Sequence, residues 1–197
     1  MSTKQVALVT RWNYKVADSA TRLLALSCFD NNRFVSGNNA IEDDCLSFGS
    51  LNLEFTAEVI DTFHEYCFFL RKLIERTGQV KKAQDHIPHT GTKKVMINKG
   101  GIDEFEAVLC DKSLWWILGR VIHSKEVRVL GGDTSNLIVY PDGKTREYDD
   151  GMCYLEVSSD YDNDGESHFL HIPSLVRAYT FSEIGRVIDH ESNRNTI

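Results

Sequence analysis

Between Ser50 and Thr77 the apolar residues recur at spacings of three and four. Val59, Phe63, Tyr66, Leu70 and Leu73 form one stripe, and Ile60, Cys67 and Ile74 widen it. That period belongs to a helix with a broad face in a core. Ser50 fits its N-terminal cap, Glu54 its first turn, and Gly78 supplies a stop signal. A shorter helix is predicted over residues 16–29, where Val16, Ala20, Leu23, Leu24 and Ser27 share a face. The polar run from Asp30 to Asp44 ends it. Residues 79–101 are polar and turn-rich, with a short strand predicted at Lys94–Asn98. Helical spacing then returns at Ile102, Phe105 and Leu109 and continues through Leu114, Ile117, Leu118, Val121 and Ile122. Asp111 or Ser113 can cap a new helix within that span.

After His123 the period changes to two. Val127 and Val129, then Leu137 and Val139, alternate with polar neighbours, and Pro141-Asp142-Gly143-Lys144 reads as a turn between strands. Met152–Ser158 and His168–Ile172 read as two further strands. Pro173 suits the first turn of a closing helix to about Asp189, with Leu175, Val176, Tyr179, Ile184, Val187 and Ile188 on its apolar side. Helices followed by a run of strands argue for α+β rather than a doubly wound parallel sheet. The expected architecture is an N-terminal helical layer with a long central helix, a small antiparallel sheet in the C-terminal third, and a closing C-terminal helix. A single domain over residues 1–197 is expected, helical to about 124 and β-rich, with the final helix, from about 125.

Composition fits that expectation. Of 197 residues, 42% are hydrophobic, and only three prolines and no Ser/Pro/Gly-rich linker interrupt the chain. Acidic residues outnumber basic ones 29 to 22, for a formal net charge of −7. Duplex nucleic acid binds largely through Lys and Arg on phosphates, which this field opposes. The densest basic run lies between Arg71 and Lys94, with Lys72, Arg76, Lys81, Lys82 and Lys93, and reads as a solvated helix end and loop. The N-terminus lacks the apolar core of a signal peptide, and no stretch approaches the ~20 apolar residues of a membrane helix. Five scattered cysteines (Cys28, Cys45, Cys67, Cys110 and Cys153) suit free thiols in a reducing compartment, so a cytoplasmic location is expected.

Three segments carry candidate chemistry. Asp160-Tyr161-Asp162-Asn163-Asp164-Gly165 matches the opening of a calcium loop, whose first, third and fifth positions supply oxygens. Its twelfth position holds His171 where a bidentate glutamate is expected, and an acidic hairpin tip explains the same residues without a metal. His86-Ile87-Pro88-His89 sets two imidazoles close together, as some zinc sites do, but no C-x-x-C pair completes a ligand set. Asp85 or Cys110 would have to assist, and a polar surface loop is the simpler account. The third segment, Leu114 to Ser124, holds adjacent tryptophans about 100° apart on a helix, one predicted for the core and one for its edge. It also holds Arg120 and His123, three apart and on one face. They form a candidate anion-binding or acid–base pair. Alternatively, His123 finishes the helix, where a donor or cation meets free carbonyls. Phosphate-binding, dinucleotide-binding, zinc-protease and hydrolase-elbow motifs are not found.

The Leu114–Ser124 segment, following the long 50–77 helix, resembles in layout the helical HEPN-type proteins of bacterial toxin and defence systems, over roughly residues 16 to 124. The resemblance implies RNA cleavage by an Arg separated from a His by four to six residues. Here Arg120 and His123 have two residues between them, and Arg186 and His190 three. The departure puts cleavage in doubt and implies a non-cleaving relative or partner protein. The leading expectation is a bacterial or phage-type accessory protein that acts through contacts with a protein partner or a second copy of itself. It would have no catalysis of its own and no cofactor. The alternatives are a nuclease or toxin-type enzyme using Arg120 and His123, and a binding module stabilised by calcium at Asp160, Asp162 and Asp164.

Overall fold

The computed structural model describes residues 3–27, 45–88, 92–130, 154–163, 166–180 and 182–193. Six helices and five strands lie in that set: α1 (Thr3–Ser27), α2 (Cys45–Arg76), α3 (Val80–Asp85), β1 (Thr92–Lys99), β2 (Ile102–Leu109), α4 (Leu114–Ile122), β3 (Glu126–Leu130), β4 (Tyr154–Ser158), β5 (Ser167–His171), α5 (Ile172–Thr180) and α6 (Glu183–Asn193). The fold is α+β. The predicted turn at Pro141–Lys144, the strand at Leu137–Val139 and the polar run from Asp30 to Asp44 lie outside the described residues.

The stripe read in the sequence is the buried face of α2, except that Ile60 is half-buried: Val59, Phe63, Tyr66, Cys67, Leu70, Leu73 and Ile74 are each at most 1% exposed. The helix starts at Cys45, five residues before the predicted cap at Ser50, and Gly78 follows its end. Helix α1 extends well upstream of residue 16. Val9, Val16 and Leu23, seven apart, bury one line of it against α2. Its rim pairs Lys15 with Glu65 at 3.0 Å and Arg22 with Glu58. Contacts at 15 with 65 and 22 with 58 mean that the two helices run antiparallel. Such exposed pairs add little to stability.

The sheet is antiparallel throughout, in the order β2-β1-β5-β4-β3. Two of its strands come from the middle of the chain: the short strand expected at Lys94–Asn98 is β1, and it pairs with β2, where a helical period is expected. Ile102, Phe105 and Leu109 fit a helical period, but Gly100-Gly101 decides the outcome. Both glycines have positive φ, 66° and 93°, and form a two-residue turn that pairs Lys99 with Ile102. Only such a turn matches the twist of adjacent antiparallel strands, and glycine enters it without steric cost.

Register fixes the faces of the other strands. Val127 lies opposite Val157 and Val129 opposite Leu155; Val157 is paired in turn with His168, and Leu155 with Leu170. These side chains share the face that meets the helices, where Leu155, Val157 and Leu170 are at most 2% exposed. The opposite face carries Glu126, Arg128, Glu156, Ser158 and Lys94, together with the buried Tyr154, Ser167 and Phe169. Helix α4 joins the layers. Ser113 caps it by accepting from the Trp116 amide at 3.3 Å, and Leu114, Ile117, Leu118 and Val121 are buried. The closing helix is two helices. Ser182 breaks it, because its hydroxyl donates to the Tyr179 carbonyl at 2.7 Å and accepts from the Gly185 amide at 3.1 Å. No helix among the described residues is long and apolar enough to cross a membrane.

Candidate functional site

Helix α4, strand β5 and the turn after β4 converge on one buried polar cluster. Arg120, in the last turn of α4, reaches Asp162 at 3.3 Å and also donates to the Ser159 hydroxyl. Asp162 turns inward. Its Oδ2 accepts from the Ser159 amide at 2.8 Å and from the Ser159 hydroxyl at 3.2 Å, and its Oδ1 meets His168 Nε2 at 3.3 Å. The Tyr161 amide donates to Ser159 Oγ at 3.2 Å, which closes the turn. The Asp162 side chain is 4% exposed and that of Arg120 11%. A charge this far from water is tolerated only with its partners in place.

His168 occupies a core-facing position of β5, and its ring meets Trp116 edge-on at 4.7 Å between centroids. Burial lowers its pKa from 6.5 to about 4. Asp162 opposes that shift, and Arg120 and Lys93 reinforce it. At neutral pH the imidazole is therefore uncharged and donates Nε2–H to Asp162, while Arg120 is the cation that balances the carboxylate. The order of contacts is Ser159, Asp162, His168. A hydrolytic triad needs the histidine in the middle, where it can take the serine proton. Here the carboxylate stands in the middle, and the Ser159 hydroxyl meets Asp162 instead of the imidazole.

Above this cluster lies an open groove of about 340 Å³. Both tryptophans line it, and neither is a core residue. Each is half-buried and covered by a guanidinium: Arg71 of α2 lies 4.5 Å from the centre of the Trp115 ring and Arg120 4.5 Å from that of Trp116. Gly119 makes room for the first pair, because a Cβ there would stand 2.8 Å from Arg71 Nη1. Tyr161, 85% exposed, stands at the rim with Arg120 5.8 Å from its ring centre.

The structure brings Arg120 and His123 to the same groove, but in different roles. Arg120 is anchored from below. His123 closes α4 through its backbone N–H, which donates to the Gly119 carbonyl, while its side chain is exposed and makes no hydrogen bond among the described residues. Finishing the helix is thus the work of its main chain. Of the calcium-loop candidates, Asp162 belongs to the Arg120 cluster, Asp160 is exposed on the charged face of the sheet, and Asp164 lies outside the described residues. Asp162 spends both oxygens on protein donors, Oδ2 on Ser159 and Oδ1 on His168. His86 has a buried Nε2 without a partner among the described residues, and His89 lies outside them. No group of three metal-ligating side chains forms among the described residues.

The basic run is distributed rather than clustered. Lys72 pairs with Glu75, Lys82 with Glu183, Lys93 with Glu166 and Lys94 with Glu156. The Lys93 hydrogen bond lowers the Glu166 pKa. Composition and spacing do not single out Ser159, Tyr161 or His168, and Arg71 figures only as the start of the basic run. The one sequence signal among them is the alternation His168, Leu170, Ile172, which assigns the histidine to the core side of its strand. Comparison with protein-family models, curated proteins and solved structures brings no match.

Proposed function

We propose that this protein is an accessory protein that acts through contacts, without catalysis of its own, and that it meets its partner at the groove on α4. The observation that carries this reading is the pair of guanidiniums laid on adjacent tryptophans, with an almost fully exposed tyrosine beside them. Trp, Tyr and Arg dominate the few residues that supply most binding energy at protein interfaces. Rigid, prepositioned side chains lose little entropy when a partner arrives. The triad-breaking order of Ser159, Asp162 and His168 supports a site that holds rather than reacts.

A second reading, an RNA-cleaving enzyme with an atypical Arg120 and His123 pair, is favoured by the position of both residues on the one groove. A photoreactive phenylalanine analogue in place of Tyr161 separates the two. Illumination in the native host should give a discrete cross-linked protein, lost when Arg71→Gln is added. A product of twice the chain's own mass would identify the partner as a second copy. Absence of any cross-link, together with RNA cleavage by the purified protein, would overturn the contact reading.

A further inference from the structure

We propose that the occupant of the α4 groove is an acidic segment of a protein, which sets a carboxylate against Arg71 and Arg120 and an apolar side chain against Tyr161. The inference deepens the contact reading and rests on it. Charge is the first argument. In a chain of net charge −7 this groove is lined by two arginines and His123 and by no carboxylate. Glu75 and Asp162 engage the arginines from outside the lining, Glu75 at Arg71 Nε at 3.4 Å and Asp162 at Arg120 Nη1 at 3.3 Å. The terminal nitrogens of Arg71 have no protein acceptor among the described residues, and its side chain is 25% exposed. A guanidinium presents its donors as a planar fork that matches a carboxylate.

The second argument is which surfaces remain open. A nucleobase binds by stacking on an aromatic face, but each indole here already carries a guanidinium, and Arg120 also lies 5.8 Å from the centre of the exposed Tyr161 ring. A longer nucleic acid would also bring many phosphates into the field of an acidic protein. The volume of about 340 Å³ suits a few side chains of a peptide. Preorganisation completes the case. Gly119 lets Arg71 lie over Trp115, and the buried contacts of Arg120 with Asp162 and Ser159 fix the second fork.

The experiment is selection of a display library of short random peptides on the intact protein, followed by titration of the enriched peptides by polarisation of an attached dye. Enrichment in Asp and Glu is expected, with affinity that falls as salt rises. Arg71→Gln should weaken binding on the order of thirtyfold, the scale of a hot-spot residue. Gly119→Ala should weaken it as well, with the protein still folded, because it displaces the guanidinium without removing it. A single-stranded RNA oligonucleotide should fail to compete. Enriched peptides that are neutral or basic, yet lost with Tyr161→Ala, would overturn the acidic occupant and leave the contact reading standing. Binding indifferent to Arg71→Gln, Gly119→Ala and Tyr161→Ala, competition by the RNA, or no enrichment at all would overturn both.

Discussion

The apolar seam, the continuous core to which α1 and α2 both contribute, and the cluster beneath the α4 groove are both closed to water, and they are held by opposite means. In the seam, Val16, Leu23, Phe63 and Leu70 are at most 1% exposed, and the attraction comes from apolar area removed from water. In the cluster, Asp162 and His168 are about equally hidden, yet each is acceptable there only because a named partner answers it. Apolar packing tolerates any neighbour of suitable shape. A buried charge tolerates few, and in return it fixes orientation. That is how the seam stabilises the molecule while the cluster holds Arg120 at the groove floor.

The largest effect that sharpens this contrast is expected in the seam. Phe63 is 1% exposed and stacks on Tyr66 with ring centroids 6.4 Å apart. Phe63→Ala should cost on the order of 3–5 kcal/mol, from lost transfer energy and the cavity left behind. Urea midpoints of wild type and variant measure it, and their separation should be the same at neutral and mildly acidic pH. An unchanged midpoint would mean that the seam is not what holds the helices.

The cluster should respond to pH where the seam does not. His168 in the unfolded chain takes a proton near 6.5, whereas in the folded protein it resists until about 4. Between those values the unfolded state binds more protons, so stability falls as pH drops through the window and is flat for this group above it. The loss should reach on the order of 2 kcal/mol by pH ~5. Glu166, held below its ordinary range first by Lys93, loses its contribution only at still lower pH. His168→Gln should flatten the slope between neutral pH and pH ~5, and a variant with the wild-type slope would show that another group titrates.

The same contrast explains what is legible in the sequence. Helix α2 is legible because a long apolar stripe repeats a single local rule, and Gly78 marks its end. The first strand of the edge hairpin is legible at Lys94–Asn98, but the second is not, since Ile102, Phe105 and Leu109 also fit a helix, and only Gly100-Gly101 reports the turn. Arg120 and Asp162 each stand out locally, one on an amphipathic helix and one in an acidic loop. Their connection does not, because it spans elements far apart in the chain: Arg120 reaches Ser159 across 39 residues. Arg71 is still less visible, a surface-type residue on a helix whose apolar face attracts the attention. Packing follows local periodicity, whereas a polar site depends on which distant strands happen to be neighbours.

The smallest expected effect discriminates most between functions. His123 caps α4 with its backbone N–H, which any residue but proline supplies, and its exposed side chain makes no hydrogen bond among the described residues. His123→Ala should therefore change stability by no more than about 0.5 kcal/mol, as surface substitutions do. That neutrality makes the variant a clean probe, because a lost activity could not be blamed on folding. If the protein acts through contacts, wild type and His123→Ala should both leave single-stranded and structured RNA intact, with or without divalent metal. If Arg120 and His123 form an acid–base pair, the wild type should cleave and the variant should not, while the two melt together. Arg120→Lys is the companion measurement. It keeps the charge but loses the planar fork over Trp116, so it should impair a contact site even where His123→Ala does nothing. Cleavage abolished by His123→Ala at unchanged melting temperature would reverse the assignment of the groove from a docking surface to an active site.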